Sequence, residues 1–148
     1  MISFDSNILI YAADPAAGER HAQSADLLAR AMRRQICTQA LQSLCEFFAV
    51  ITRKAGVDAS AAAELVAAWS AAMAVECPRP EDLDNAIRAV REHGLSFWDA
   101  MLWATVRRAG VKLLITEDFQ DGRTIEGVRV VNPFPPSNRS IIDNLLAG

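Results

Sequence analysis

The chain has 148 residues, of which 51% are hydrophobic and 22% charged, with a formal net charge of −3. This balance describes one globular domain, residues 1–148, with a substantial core, and excludes a disordered polypeptide. It also excludes a strongly basic, non-specific nucleic-acid binder, though not an enzyme with an acidic centre and a local basic rim. In chain order, Ile2-Ser3-Phe4 alternates and runs into Asp5, a minimal first strand ending in an acid. Ser6 to Ala12 is too apolar for a solvent loop, and Asp14-Pro15 closes it. Glu19–Arg34 reads as a surface helix with Ala22, Ala25, Leu28, Ala29 and Met32 inward and a basic end at Arg30, Arg33 and Arg34. A short strand is predicted at Ile36–Thr38, then a helix over Ala40–Arg53 with Leu41, Leu44, Phe48 and Ile51 as its core stripe.

Asp58 or Ser60 caps a third, alanine-rich helix that reaches about Met73, followed by a strand over Ala74–Cys77. Glu81–Glu92 is helical and stops at His93-Gly94. Ser96 and Asp99 have capping-box spacing and open a helix carrying Leu102, Trp103, Val106 and Ala109, ended by Gly110. Val111–Thr116 reads as a buried strand that ends abruptly in Glu117-Asp118. A last strand spans Gly127–Val131, and the tail from Pro135 holds a short helix, Ser140–Leu146. Strands alternating with helices imply an α/β fold with a short parallel sheet and crossover connections. Cys37, Cys45 and Cys77 are odd in number and lack zinc spacing, so small buried thiols in a reducing compartment are expected. No basic leader opens the chain and no run approaches the roughly 20 apolar residues of a membrane span, so a soluble cytoplasmic protein away from membranes is expected.

The acids carry the functional argument, and each has a plain structural use as well. Asp5 suits a helix N-cap for the segment starting at Ser6. Glu46, the only charge in Leu44–Ile51, suits the solvent stripe of its helix, although Phe47 and Val50 flank it. Asp99 suits a capping box, yet it stands among Phe97, Trp98, Met101 and Leu102, where an ionised carboxylate is costly without a cation. Glu117, Asp118 and Asp121 suit turns, with Thr116 offering a hydroxyl at the same mouth. Taken together, Asp5, Glu46, Asp99 and Asp118 fall at strand ends or on helices leaving one side of the sheet, where open α/β sheets bind ligands. Gathered carboxylates repel unless a cation offsets them, and a hard divalent ion such as Mg²⁺ takes oxygen ligands. His21 and His93 lack metal spacing. The chemistry left is water, activated by a metal, attacking a phosphodiester.

These segments carry a resemblance. ISFDSNILIYA, Glu46 in its helix, SFWDAMLWATVRRAG, and LLITEDFQDG followed by IEGVRVVNPF are together similar to PIN-domain proteins, and among them to the VapC-type ribonuclease toxins of bacterial toxin–antitoxin pairs. The resemblance implies a three-layer α/β/α sandwich around a short central parallel sheet. It implies an acidic quartet falling on Asp5, Glu46, Asp99 and Asp118, with Asn7 and Thr116 as polar helpers. It also implies Mg²⁺ or Mn²⁺ as cofactor, RNA as substrate, and products ending in 5′-phosphate and 3′-hydroxyl. Its partners would be a cognate antitoxin, whose helix inserts near the acids, and a second copy in a homodimer, with Val66 and Trp69 offering apolar surface. Whether Glu117 or Asp121 assists stays open. Arg30, Arg33, Arg34, Arg53 and Lys54 are candidates for steering the RNA backbone.

Two other classes compete with the nuclease: a phosphate-handling α/β domain, either phosphatase-like or a receiver, and an inert partner-binding module. A phosphatase of the haloacid-dehalogenase kind wants a second Asp two residues after its nucleophile, where Asn7 stands. A response-regulator receiver wants paired acids after its first strand, and Ser6-Asn7 serves poorly. An inert PIN-like module that only binds a partner is the third, and the complete quartet argues against it.

Overall fold

Ile2–Phe4 forms β1, buried at every residue, and Asp5 at once turns the chain into α1 (Ser6–Ala13) by accepting the Ser6 N–H at 2.7 Å. The computed structural model describes residues 1–147. Ile8 and Leu9 of α1 are fully buried, which is why this apolar run could not be loop. After a 3₁₀ turn at 15–17, α2 (Glu19–Arg33) leads to β2 (Thr38–Ala40), and α3 (Leu41–Arg53) and α4 (Ala59–Ala72) follow. Then come β3 (Ala74–Glu76), α5 (Pro80–His93), α6 (Phe97–Arg108), β4 (Leu113–Ile115), β5 (Thr124–Ile125), β6 (Val128–Val131) and α7 (Arg139–Leu146).

β1 pairs with β4 and β4 with β6, all parallel, while β5 folds back antiparallel on β6. β2 and β3 form a second parallel pair. Helices cover both faces. One core joins α1–α4 and α7 to Ile2, Phe4, Ile115 and Val131. The other joins α5 and α6 to Leu114, Ile125 and Val128. The result is the α/β/α sandwich, with one antiparallel edge strand added to the expected parallel sheet. Central α6 is buried at every position from Ala100 to Val106, wider than the stripe its periodicity predicts.

The two strand pairs meet at a seam. Among the described residues, the Ile2–Cys37 bridge alone joins β1 to the β2 side as paired backbone. Further along, the fully buried Gln39 side chain takes the place of a strand: its Nε2 donates to Phe4 O at 2.6 Å and its Oε1 accepts Phe4 N–H at 3.4 Å. Gln39→Leu should therefore strand two buried backbone groups and cost about 2 kcal/mol or more. Urea denaturation checks this, and an unchanged midpoint would remove Gln39 from the sheet's hydrogen bonding.

Several sequence expectations shift. The second strand is Thr38–Ala40 rather than Ile36–Thr38, because Ile36 and Cys37 are spent on joining β1. Ala22 is exposed, and α2 buries Ser24, Leu27, Leu28 and Ala31. In α3 the buried residues are Ser43, Leu44, Phe47 and Ile51, while Leu41 and Phe48 are exposed. Trp69 is buried, with its ring against Phe47 at 4.8 Å, and offers no outer surface. Only Cys37 is a buried thiol; Cys45 and Cys77 are free and exposed. No described helix is long and apolar enough to cross a membrane.

Candidate active site

Parallel pairing of β1 with β4 aligns Phe4 with Ile115, and Asp5 N–H donates to Ile115 O at 3.0 Å. The residues that follow each strand, Asp5 and Thr116 to Asp118, therefore share the carboxyl edge of the sheet. Asp5 is only 5% exposed. Its Oδ2 accepts the Thr116 hydroxyl at 2.8 Å and its Oδ1 the Ser6 N–H at 2.7 Å. Thr116 Oγ1 in turn accepts Asn7 Nδ2 and the Asp118 N–H, both at 3.1 Å. Asn7 Nδ2 also donates to Asp118 Oδ2 at 2.9 Å. One hydroxyl and one amide thus hold the acids of β1 and β4 in register.

Glu46 comes from the second turn of α3. Its Oε2 accepts the Ser6 hydroxyl at 2.9 Å, and its Oε1 accepts Gln42 Nε2 at 2.9 Å. The same Gln42 nitrogen donates to Trp98 O at 3.0 Å, which ties α3 to the first turn of α6. Turning Glu46 inward is what turns Leu41 and Phe48 outward. Asp99 N–H donates to Ser96 Oγ at 3.4 Å, so Ser96 does cap α6. Among the described residues, no hydrogen bond returns from the Ser96 N–H to the Asp99 carboxylate, so only half of the capping box forms.

Electrostatics show that the four acids feel one another. Burial pushes the Asp5 carboxyl up to about 6; Thr116 and Ser6 pull it back, and the charges of Glu46 and Asp118 push it further. Asp99 is raised by burial, opposed by the Ser96 hydroxyl and reinforced by Asp118 and Glu46. The groups bonded to this cluster, Ser6, Asn7, Gln42 and Thr116, are all neutral donors. Asn7 Oδ1 is buried with no hydrogen-bond partner among the described residues and is a spare oxygen beside the acids. A carboxylate-rich set with a spare amide oxygen fits a hard divalent cation.

The remaining acids have other tasks. Glu117 accepts from Tyr11 OH and pairs with Arg20 at 2.7 Å. Arg20 also lies over the Tyr11 and Phe134 rings at 5.3 and 4.9 Å. Asp121 holds the tail, accepting the Asn132 N–H at 2.8 Å and Asn138 Nδ2 at 2.7 Å. Glu92, His93 and Glu126 lie close enough to share an ion. Arg88 and Arg107 already occupy Glu126, and its carboxyl is held down to about 2, chiefly by Arg88. That grouping is an ion-pair cluster.

The basic residues nominated for steering are misplaced for it. α2 ends beside Ile36, whose carbonyl meets Ile2 N–H at 2.8 Å, so Arg30, Arg33 and Arg34 stand at the amino edge of the sheet. Arg30 pairs with Asp143, and Arg34 donates to Leu145 O, which docks α7. Arg53 and Lys54 end α3, a helix about 20 Å long that starts at the acidic edge.

Sequence reading missed Ser6 and Gln42. Ser6 directly follows Asp5, and Gln42 stands four residues before Glu46, the spacing at which helical side chains meet.

The family model of the PIN domain matches residues 2–121, a span that contains all four acids. The chain belongs to the PIN-domain family. Among curated proteins none matches it significantly. Solved structures similar to this PIN domain include Mycobacterium tuberculosis VapC20, titled a Sarcin-Ricin loop cleaving toxin, with TM-score 0.63, 21% identity, and coverage of 77% of this chain and 87% of that one. A toxin–antitoxin complex from Klebsiella pneumoniae has TM-score 0.63 at 22% identity, covering 90% and 98%. PAE2754 from Pyrobaculum aerophilum has TM-score 0.63 at 20% identity, covering 99% and 90%. At such identities the likeness establishes the PIN fold.

Proposed function

We propose that this PIN domain, acting as one unit over residues 1–148, is a metal-dependent endoribonuclease and the toxin of a cytoplasmic toxin–antitoxin pair. The observation that carries this reading is that Asp5, Glu46 and Asp118, bonded among the described residues to neutral donors, lie with Asp99 in one charged neighbourhood at one sheet edge. Titles naming VapC20 a Sarcin-Ricin loop cleaving toxin, and the Klebsiella protein a toxin–antitoxin complex, support the substrate and partner classes.

Asp5, Asp99 and Asp118 would hold Mg²⁺ or Mn²⁺, which when bound acidifies a water and polarises a phosphoryl oxygen. Thr116 and Ser6 orient the Asp5 carboxylate, and Asn7 orients Asp118. Glu46, held at both oxygens, orients the attacking water. Attack at phosphorus breaks the bond to the 3′ oxygen, which takes a proton and leaves as hydroxyl, and the other fragment keeps a 5′-phosphate. The apolar groove between α3 and α4, edged by Leu41, Phe48 and Val66, suits a helix of the antitoxin. The exposed Leu83, Ile87 and Val90 of α5 suit a second copy in a homodimer.

Cleavage of total RNA with and without EDTA tests the reaction, and Asp99 tests the site. Asp99→Asn should stay folded, bind Mg²⁺ more weakly by calorimetry, and lose at least about a hundredfold in cleavage, since outer-shell losses alone reach 10–100-fold at metal sites. Ser96→Ala is the control: about 1 kcal/mol less stable and largely active. An Asp99→Asn protein that cuts like the wild type would reduce Asp99 to a helix cap.

A further inference from the structure

An acidic mouth whose nominated cations stand at the far edge must hold an RNA strand by something besides phosphate contacts. Until an ion binds, Asp5, Glu46, Asp99 and Asp118 repel the backbone, and the nearby Arg20 is engaged by Glu117. The chain has three tryptophans. Trp103 is fully buried, with its indole N–H on Ile125 O at 3.1 Å, and Trp69 is 6% exposed. Trp98 is 64% exposed, the most exposed large hydrophobic side chain in the described residues.

Its placement is specific. Trp98 directly precedes Asp99, and Gln42 Nε2 bonds both Trp98 O and Glu46 Oε1, so one amide separates its backbone from the site. Phe97 meets the indole edge-on, with centroids 5.1 Å apart and planes at 67°, which braces the ring while leaving it open to solvent. A braced, open indole is a surface on which any base can stack, and such affinity requires no positive charge.

We propose that Trp98, braced by Phe97, is the platform on which an unpaired nucleobase next to the scissile phosphate stacks. The inference rests on the ribonuclease reading above. Stacking there would hold the neighbouring phosphate over Asp99 and favour single-stranded over helical RNA, because a base inside a helix has both faces covered by its stacked neighbours.

The test uses a single-stranded oligoribonucleotide that the wild type cuts at one position, and the same strand with an abasic residue beside that position. Trp98→Ala should raise KM about tenfold to a hundredfold and leave kcat within about twofold, with Trp98→Phe recovering most of the loss. The abasic strand should cost the wild type a similar factor and Trp98→Ala nothing more. In EDTA the intact strand should quench wild-type tryptophan emission, and Trp98→Phe should lose that quenching, since the other two indoles are buried. An abasic penalty equal in wild type and Trp98→Ala overturns the platform and leaves the ribonuclease standing. Wild type that cuts no RNA with Mg²⁺ or Mn²⁺ overturns both. If light scattering shows Trp98→Ala dissociating a dimer while the abasic penalty stays, the indole belongs to a contact with a second copy, and the platform is overturned.

Discussion

Asp5→Asn is expected to yield a folded protein that barely cuts RNA and that, in EDTA at neutral pH, is more stable than the wild type. Both effects come from one buried carboxylate. Asp5 titrates near 6 in the folded chain against 3.8 as its ordinary value. Between those values the folded state binds the extra proton, so the Asp5 contribution to metal-free stability falls as pH rises through the window and is level above it. The ionised carboxylate then costs the metal-free fold about 3 kcal/mol at neutral pH. Asn removes the charge and can still accept the Ser6 N–H through its amide oxygen. Wild type and Asp5→Asn should therefore melt apart at pH 7 and together near pH 4, with CD spectra alike. Adding Mg²⁺ should raise the wild-type melting temperature and leave the variant nearly unmoved. Equal cleavage by the two proteins, or a melting difference that ignores pH, would remove Asp5 from the reaction.

Arg108→Ala is expected to be the most damaging single change away from the acids. Asp82, 1% exposed, accepts Arg108 Nε at 3.0 Å on each oxygen and the Arg79 N–H at 2.8 Å. The same guanidinium donates to Glu76 Oε2 at 3.1 Å and to Cys77 O at 2.7 Å. Removing it leaves a buried carboxylate without its cation, which costs about 3–5 kcal/mol. Replacing both partners, Asp82→Leu with Arg108→Met, should recover much of that loss, since an apolar pair of similar size can match a buried ion pair. Urea denaturation of the single and double variants decides it, and a double variant no better than Arg108→Ala would mean that the pair sets the α5–α6 geometry itself.

Much of this was legible because local chemistry and tertiary position agreed. Asp5 both caps α1 and ends β1, and Ser96 caps α6 where the spacing predicted. The four acids could be gathered because parallel topology forces successive strand ends to one edge. What stayed hidden depends on partners distant in sequence. The turn from β5 to β6 places both Glu126 and Gly127 at positive φ, 44° and 86°. Gly-rich or Asn-Gly turns announce such a hairpin, whereas Glu126 is held there by Arg88, Arg107 and His93, which no local pattern shows. The rotation of α3 was lost for a similar reason. Hydrophobicity alone favours Leu41 and Phe48 inside, while Ser6 and Gln42 draw Glu46 to the mouth and bring Phe47 in behind it. The basic end of α2 looked free for RNA until α7, more than a hundred residues later, was seen to occupy it.

The hold that Asp121 keeps on Asn132 and Asn138 means that the shared family pattern and the folding unit end in different places. The pattern stops at Asp121. Beyond it lie β6, which pairs directly with β4, and Val131 and Leu146, which belong to the same core as Phe4 and Phe47. A polypeptide trimmed to the family's outline would keep every acid yet lose the strand that flanks Thr116 and Asp118, and its oily interior would face water. The last fifth of the chain is thus the keystone of the sheet, and diversity among relatives in that stretch can be tolerated only where some other segment closes the same gap.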